Sequence, residues 1–423
     1  MSYLGGMALD VDGVGQANLG RAILHHPINS AIPGMNAQIT SVEAILVDLP
    51  TIRAHQLAMA TMQQQTLVII RLRSSDGIEG IGEATTIGGL SYGDESPEGI
   101  KLTIDTYLAP ALAGADSTNI NAAMAKLNKV ARGNRFAKSA LETALLDAQG
   151  KRLGVSVATL LGGAVRRALP VLWTLASGDT QRDIEEAEML LAERRHNTFK
   201  LKIGRRSVRD DVAHVSAIKR ALGDRAKVTV DVNQAWNEAE AATGIAALEA
   251  AGIDLIEQPT PREQRGALAR LAARFVVPIM ADEAVTGPED ALELVRGACA
   301  DVFALKIAKS GGIYGMLRTA AVADAAGIAL YGGTMLEGSI GSIGAAHGFS
   351  TLPQLAWGTE LFGPLLLKDD VVTARPQYRD FDLHLPEGPG LGLAIDEDKL
   401  AFYRRDSNRC DSNRVKPTLA ASN

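Results

Sequence analysis

Thr198-Phe199-Lys200-Leu201-Lys202-Ile203 is a short run in which polar side chains, two of them cationic, occupy every second position. That alternation is a strand pattern, and it puts Lys200 and Lys202 on one face. Further along the chain, β-branched segments recur, and each ends in a charged residue: Asp231, Glu257, Asp282, Lys306 and Glu360. The steps from Lys202 are 29, 26, 25 and 24 residues, and the last is 54, or two steps of 27. Strands of a parallel sheet are buried on both faces and normally exclude charge. One charged side chain per unit, always at the C-terminal end of a strand, marks a functional rim.

Working outward, candidate strands lie at 171–175, 198–203, 227–232, 254–257, 279–282, 302–306, 328–331 and 355–360. Between them run Ala-rich amphipathic helices, for example at 207–222, 239–251, 288–297 and 313–326. Repeated strand–helix units predict a parallel sheet, and seven or eight in a row predict a closed α/β barrel; an open doubly wound sheet is the alternative. In a barrel the strand ends converge on one mouth, whereas an open sheet would spread the charged residues along a line. The expected fold is a modified TIM barrel, (β/α)7β, over residues 161–365.

The segment before it reads differently. Strands at 39–50, 67–73 and 80–84, with Asp76-Gly77 as a turn signal, precede helices at 97–113, 120–130 and 137–153. Residues 37–160 are therefore expected to form an N-terminal α+β capping (lid) domain, and 366–404 a segment returning to it. Residues 1–36 are Gly-, Asn- and Pro-rich, and 405–423 are polar with a repeated Asp-Ser-Asn-Arg. Both are expected to be loosely attached or disordered, and Met35 is a candidate start.

Composition narrows the function. A net charge of −6 with no basic block disfavours nucleic acid. No apolar run of the length needed to span a bilayer is present. Two cysteines, Cys299 and Cys410, are too few for a disulfide framework and favour a cytoplasmic location.

Asp231, Glu257 and Asp282 would form three adjacent anions, and uncompensated they would force at least one to take up a proton. A hard divalent cation with oxygen ligands, Mn or Mg, removes that cost. Lys200 and Lys202 on one side and Lys306 on the other face those acids. A cation, a second ammonium and partial burial are each expected to lower a lysine pKa toward the range useful for proton transfer. The set suits moving a proton at a carbon next to a carboxylate.

These segments, with Asp231-Val232-Asn233, Ile256-Glu257-Gln258-Pro259, Ala281-Asp282-Glu283 and Leu305-Lys306-Ile307, resemble the muconate-lactonizing subgroup of the enolase superfamily. The resemblance covers roughly residues 37–400. Reactions in that subgroup include lactonization of muconate or chloromuconate, epimerization of dipeptides and racemization of acylamino acids, and o-succinylbenzoate synthesis. His55-Gln56-Leu57-Ala58-Met59, the glycine-rich segment 85–93 and Gly358-Thr359-Glu360-Leu361-Phe362-Gly363-Pro364 resemble the muconate-lactonizing members. The resemblance implies reversible lactonization of cis,cis-muconate, a small dicarboxylate, to muconolactone, within catechol breakdown through β-ketoadipate. It implies Asp231, Glu257 and Asp282 as ligands of Mn (Mg as the alternative), and Lys202 as proton donor with Lys200 assisting. Lys306 and Glu360 would lie on the opposite face, with His55, Ile87 and Tyr92 as substrate contacts from the lid. It also implies a homo-octamer.

Some positions stay open on sequence alone. Glu337, in the glycine-rich segment 332–341, competes with Glu360. Asn233 either supports the metal shell or caps the following helix. Strand alternation puts Glu283 opposite Asp282, outside the metal shell. Gly88, Gly89 and Gly93 are hinges or ordinary turns. The rival functions are an epimerase or a chloromuconate-specific enzyme on the same barrel, and a non-enzymatic binding barrel.

Overall fold

A computed structural model describes residues 37–56 and 61–406. The expectations for 1–36 and 407–423, and for Leu57, Ala58 and Met59 of the lid, lie outside the described residues.

The chain opens with an antiparallel meander, β1 (Ile39–Gln56), β2 (Thr61–Ser74) and β3 (Glu79–Thr85). Register is set by apolar pairs such as Ile45 opposite Ile69, and Gly77 makes the β2–β3 turn with φ +81°. The helix Arg135–Leu153 lies directly on β3. Gly80 and Gly82 make that approach possible, because a Cβ at either would sit 2.0 Å from the carbonyl oxygens of Ala144 and Ala140. The helix expected over 97–113 is interrupted: Pro97–Thr103 and Ala109–Leu112 flank a π turn at Ile104–Leu108. Pro110 accounts for the break, since it has no N–H to give the preceding turn.

After β4 (Ala168–Pro170) come seven parallel strands: β5 (Trp173–Leu175), β6 (Thr198–Lys202), β7 (Lys227–Asp231), β8 (Leu255–Glu257), β9 (Ile279–Ala281), β10 (Val302–Leu305) and β11 (Ala329–Gly332). They are hydrogen-bonded in chain order from β5 to β11. The eighth strand shrinks to single bridges at Thr359, which pairs in parallel with Val171 at one edge and with Gly332 at the other. Leu172 N donates to Thr359 O at 2.9 Å and Glu360 N to Gly332 O at 2.7 Å, so the sheet closes on itself as a (β/α)7β barrel. The expected first barrel strand, 171–175, is shorter than read, and β4 instead joins a small antiparallel sheet with β12 (Gln377–Arg379) and β13 (Asp382–His384).

The glycine-rich segment 332–341 leads into a helix, Ser339–Ser350, every residue of which is buried. Glu83 of β3 accepts from Gly338 N and Gly341 N at its start, and Asp370 accepts from Ser339 N. These bonds satisfy orphan donors that water cannot reach. The chain ends against the meander, where Arg405 N donates to Leu46 O and its guanidinium pairs with Asp48.

Candidate active site

The C-terminal ends of β6 to β10 and the segment after Thr359 bring the charged residues together at one mouth. Asp231 and Glu257 are direct register partners on β7 and β8. Gln258, with a left-handed φ of +34°, turns the chain after Glu257, and its side-chain oxygen accepts from Asp282 N and Ala284 N. It thereby fixes the loop that carries Asp282.

Each acid faces a lysine. Lys202 Nζ donates to Asp231 Oδ2 at 2.5 Å. Lys200, completely enclosed, lies 2.6 Å from Glu257 Oε2 as an ion pair without hydrogen-bond geometry, and donates to Glu360 Oε2 at 2.8 Å. Lys306 Nζ reaches Asp282 Oδ2 at 2.8 Å and Lys309 Nζ reaches Asp282 Oδ1 at 2.5 Å. Tyr331 donates its hydroxyl to the same oxygen of Glu360 at 3.0 Å, and its ring lies under Lys200 at 4.8 Å. Glu337 is held elsewhere, by the Thr334 hydroxyl and Met335 N, so Glu360 is the acid that meets the lysines.

Glu283 differs from its sequence reading, and the two alternatives for Asn233 are separated. β9 ends at Ala281, so strand alternation no longer applies at Glu283, which turns inward and accepts from Asn233 Nδ2 at 3.2 Å. Asn233 N and Nδ2 both bond Asp231, while Asn237 caps the next helix; the capping alternative for Asn233 is thereby excluded. Lys309 and Tyr331 carry no separate sequence signal: one lies beyond its strand and the other reads as apolar core.

The electrostatics follow from burial. Burial and the neighbouring Asp231 push Glu257 up to about 8, against Lys200. Burial, Asp282 and Asp231 bring Glu283 to about 7. Burial would raise Glu360 too, but Lys200, Lys202 and Lys306 outweigh it and bring it down to about 2. Asp282 is held far below the usual carboxylate range, as Lys306 and Lys309 override its burial. Burial opposes the charge on Lys202, yet Asp231 and Glu360 raise it to about 12. Lys200, Lys202 and Lys306 are all held above the ordinary lysine value, because the carboxylates each ammonium faces outweigh its burial. Lys309 alone is lowered, by burial.

Five buried carboxyl groups (Asp231, Glu257, Asp282, Glu283 and Glu360) thus meet the ammonium groups of Lys200, Lys202, Lys306 and Lys309. Glu283 Oε2 and Asn233 Oδ1 are buried with no hydrogen-bond partner, and Glu257 Oε2 has only its ion pair. Among the described residues, no three acid, imidazole or thiol groups converge on one point; Asp231, Glu257 and Asp282 each turn to a lysine. The donors are all hard oxygens carrying surplus negative charge, so in chemistry and charge they fit a divalent cation.

The lid covers this mouth. His55, Ile87, Tyr92, Lys202, Lys306 and Glu360 line a space of about 10 Å³, room for one water at most. His55 is neutral: burial first, then Arg53 and Lys202, push it down to about 3. Gly88 and Gly89 next to Ile87 are left-handed, at φ +63° and +67°, as a tight turn requires. A cavity of about 470 Å³ opens among the N-terminal ends of β6 to β8 and reaches inward as far as Lys200 and Tyr331, the partners of Glu360.

Comparison with known proteins adds to this geometry. Residues 41–162 match the family described as mandelate racemase / muconate lactonizing enzyme, N-terminal domain, and residues 182–399 match the enolase C-terminal domain-like family. The chain is 63% identical over 369 residues to muconate cycloisomerase 1 of Pseudomonas putida, covering 87% of this chain and 98% of that protein. It is 45% identical to a chloromuconate cycloisomerase of Pseudomonas putida, covering 87% and 99%. Its structure is similar to that of muconate lactonizing enzyme from Pseudomonas fluorescens complexed with muconolactone, with a TM-score of 0.87, 62% identity, and coverage of 88% and 100%.

Proposed function

We propose, from the premise that the chain belongs to the mandelate racemase / muconate lactonizing enzyme family of the enolase superfamily, that it is an isomerase catalysing the reversible lactonization of cis,cis-muconate to muconolactone. The observation that carries this reading is Lys202, a protonated amine held by Asp231 at the lid-covered mouth, in a chain 63% identical to a muconate cycloisomerase.

In the forward direction one carboxylate oxygen of the dianion adds to a double bond, and the displaced π electrons move toward the other carboxylate. Lys202 gives its proton to the α-carbon, converting a dianion to a monoanion, so each turnover takes up one proton. An amine raised to about 12 is in the right form for that donation. Lys200 lies behind it and adds fixed positive charge where the enolate develops. Lys306 and Tyr92 line the other side of the reacting carbons, whereas Glu360, expected there too, is held beside Lys200. Asp231, Glu257 and Asp282 would hold a divalent cation, with Glu283 a further oxygen donor. Held there, a divalent cation would supply positive charge to offset the charge that develops at a substrate carboxylate. We take Mn as the metal and Mg as the alternative, since both accept oxygen-only donors.

His55, Ile87 and Tyr92 would contact the substrate from the lid. The 10 Å³ space has no room for a six-carbon diacid, so this segment must move to admit it. We further propose the division into a cap (37–160), a barrel (161–365) and a returning segment (366–404). A homo-octamer is the assembly in keeping with the family. Exposed apolar side chains such as Leu90, Leu102 and Tyr107 are available for subunit contacts. A cytoplasmic setting and a role in catechol breakdown agree with the low cysteine content and with the substrate. No helix among the described residues is long and apolar enough to cross a membrane.

The test is an ultraviolet assay of muconate loss with Mn present and then chelated. Turnover that stops on chelation and returns with metal is expected, and no muconate turnover under either condition would refute the reading.

A further inference from the structure

The lid and the metal-binding loops are joined a second time, away from the substrate. The helix Arg135–Leu153 starts from Asn134, which is left-handed at φ +48° and provides no side-chain cap. Glu95, three residues after the lid residue Tyr92, supplies the missing acceptors: its two carboxylate oxygens take Phe136 N at 3.0 Å and Ala137 N at 3.3 Å. A carboxylate at a helix N-terminus satisfies orphan donors and complements the helix dipole. The lid is therefore pinned to this helix.

The same helix grips the catalytic loops. Arg135 Nη1 donates to Thr286 O at 2.9 Å and to Lys309 O at 3.3 Å. Thr286 lies four residues after Asp282, and Lys309 three residues after Lys306, so one guanidinium spans the loops that follow β9 and β10. Two helical turns on, Glu142 accepts from Tyr314 N at 3.2 Å. The loop wraps so tightly there that a Cβ on Gly312, at φ +137°, would lie 2.1 Å from Glu142 Oε2. Lys309, whose backbone Arg135 holds, closes the circuit by donating to Asp282 Oδ1 and to Asp282 O. Asp282 then accepts from Tyr92.

We propose that Arg135 is a positioning residue for the lactonization. By tying Thr286 O and Lys309 O together, it fixes the Lys309–Asp282–Tyr92 contact and so sets a metal-binding acid and the lid in register. Arg135 does not touch the site itself, and its side chain is exposed. This rests on the function proposed above.

The experiment compares full-length wild type, Arg135→Ala and Arg135→Lys for kcat and KM with muconate, together with the thermal midpoint. Misplacing a catalytic group by about 1 Å costs up to about a hundredfold in rate. Arg135→Ala is expected to lose about tenfold to a hundredfold in kcat per folded site, with KM within about threefold of wild type. Arg135→Lys, which returns a donor to the same carbonyls, is expected to recover most of that loss. If Arg135→Ala does not fold, Arg135→Gln makes the same comparison. A kcat per folded site within about twofold of wild type, or a loss that lysine does not reduce, overturns the proposal. Wild type inactive on muconate would instead defeat the functional reading on which it rests.

Discussion

The Tyr92 hydroxyl donates to Asp282 Oδ2 at 2.7 Å and accepts from Lys306 Nζ at 2.6 Å, so a lid residue is built into the ion-pair network of the barrel. Its ring also lies 4.6 Å from that ammonium. Burial first, and then Asp282 and Glu283, hold the phenol well above its ordinary pKa, so it remains a neutral donor. A hydrogen bond to a charged group contributes roughly 1.5–3 kcal/mol, equivalent to about ten- to a hundredfold. Tyr92→Phe should lower kcat/KM for muconate by about that factor. Steady-state kinetics on the purified variant measure this, and wild-type kinetics would remove the hydroxyl from the account.

The periodic charges at strand ends were legible because parallel strands tolerate charge only at their mouths. Lys202, Asp231, Glu257, Asp282 and Lys306 could be read in order for that reason. The buried helix Ser339–Ser350 was not legible. With every face enclosed it shows no amphipathic period for a sequence reading to find. Glu283 was missed because alternation was carried two residues past the end of β9, and Lys309 because a lysine four residues beyond its strand looks solvent-facing. The eighth strand was legible only as a region, since a single bridging residue, Thr359, leaves no pattern to count.

Glu142 links stability to pH. Burial raises its carboxyl to about 7 from 4.5, against the backbone N–H groups of Tyr314 and Ile313. A carboxyl with a raised folded-state pKa binds more protons folded than unfolded. Its contribution is therefore complete below about pH 4.5 and is lost as pH rises through about 7. The loss for such a shift is roughly 3 kcal/mol. Urea unfolding of wild type and Glu142→Gln at pH 5 and pH 8 should show a smaller decline in the variant. Parallel declines would mean that this carboxyl is not held protonated by the fold.

Substrate preference separates the nearest rivals. Identity is 63% to a muconate cycloisomerase and 45% to a chloromuconate cycloisomerase, and Ile87 and Tyr92 leave little room at the lid. A single methyl-sized misfit in an apolar pocket changes kcat/KM by about 10- to 200-fold. Turnover of muconate should exceed that of chloromuconate by at least about tenfold, and a dipeptide should not be epimerized. A panel giving the reverse order would reassign the substrate.

The most direct measurement joins Lys202→Ala to two readouts, muconate turnover and Mn binding by titration calorimetry. Removing the proton donor should cost at least about a hundred- to ten-thousandfold in turnover. Metal affinity should persist, because the oxygen donors remain and Asp231 loses only its ammonium partner. Lactonization at the wild-type rate in Lys202→Ala would contradict the assignment of this lysine as the group that protonates the α-carbon.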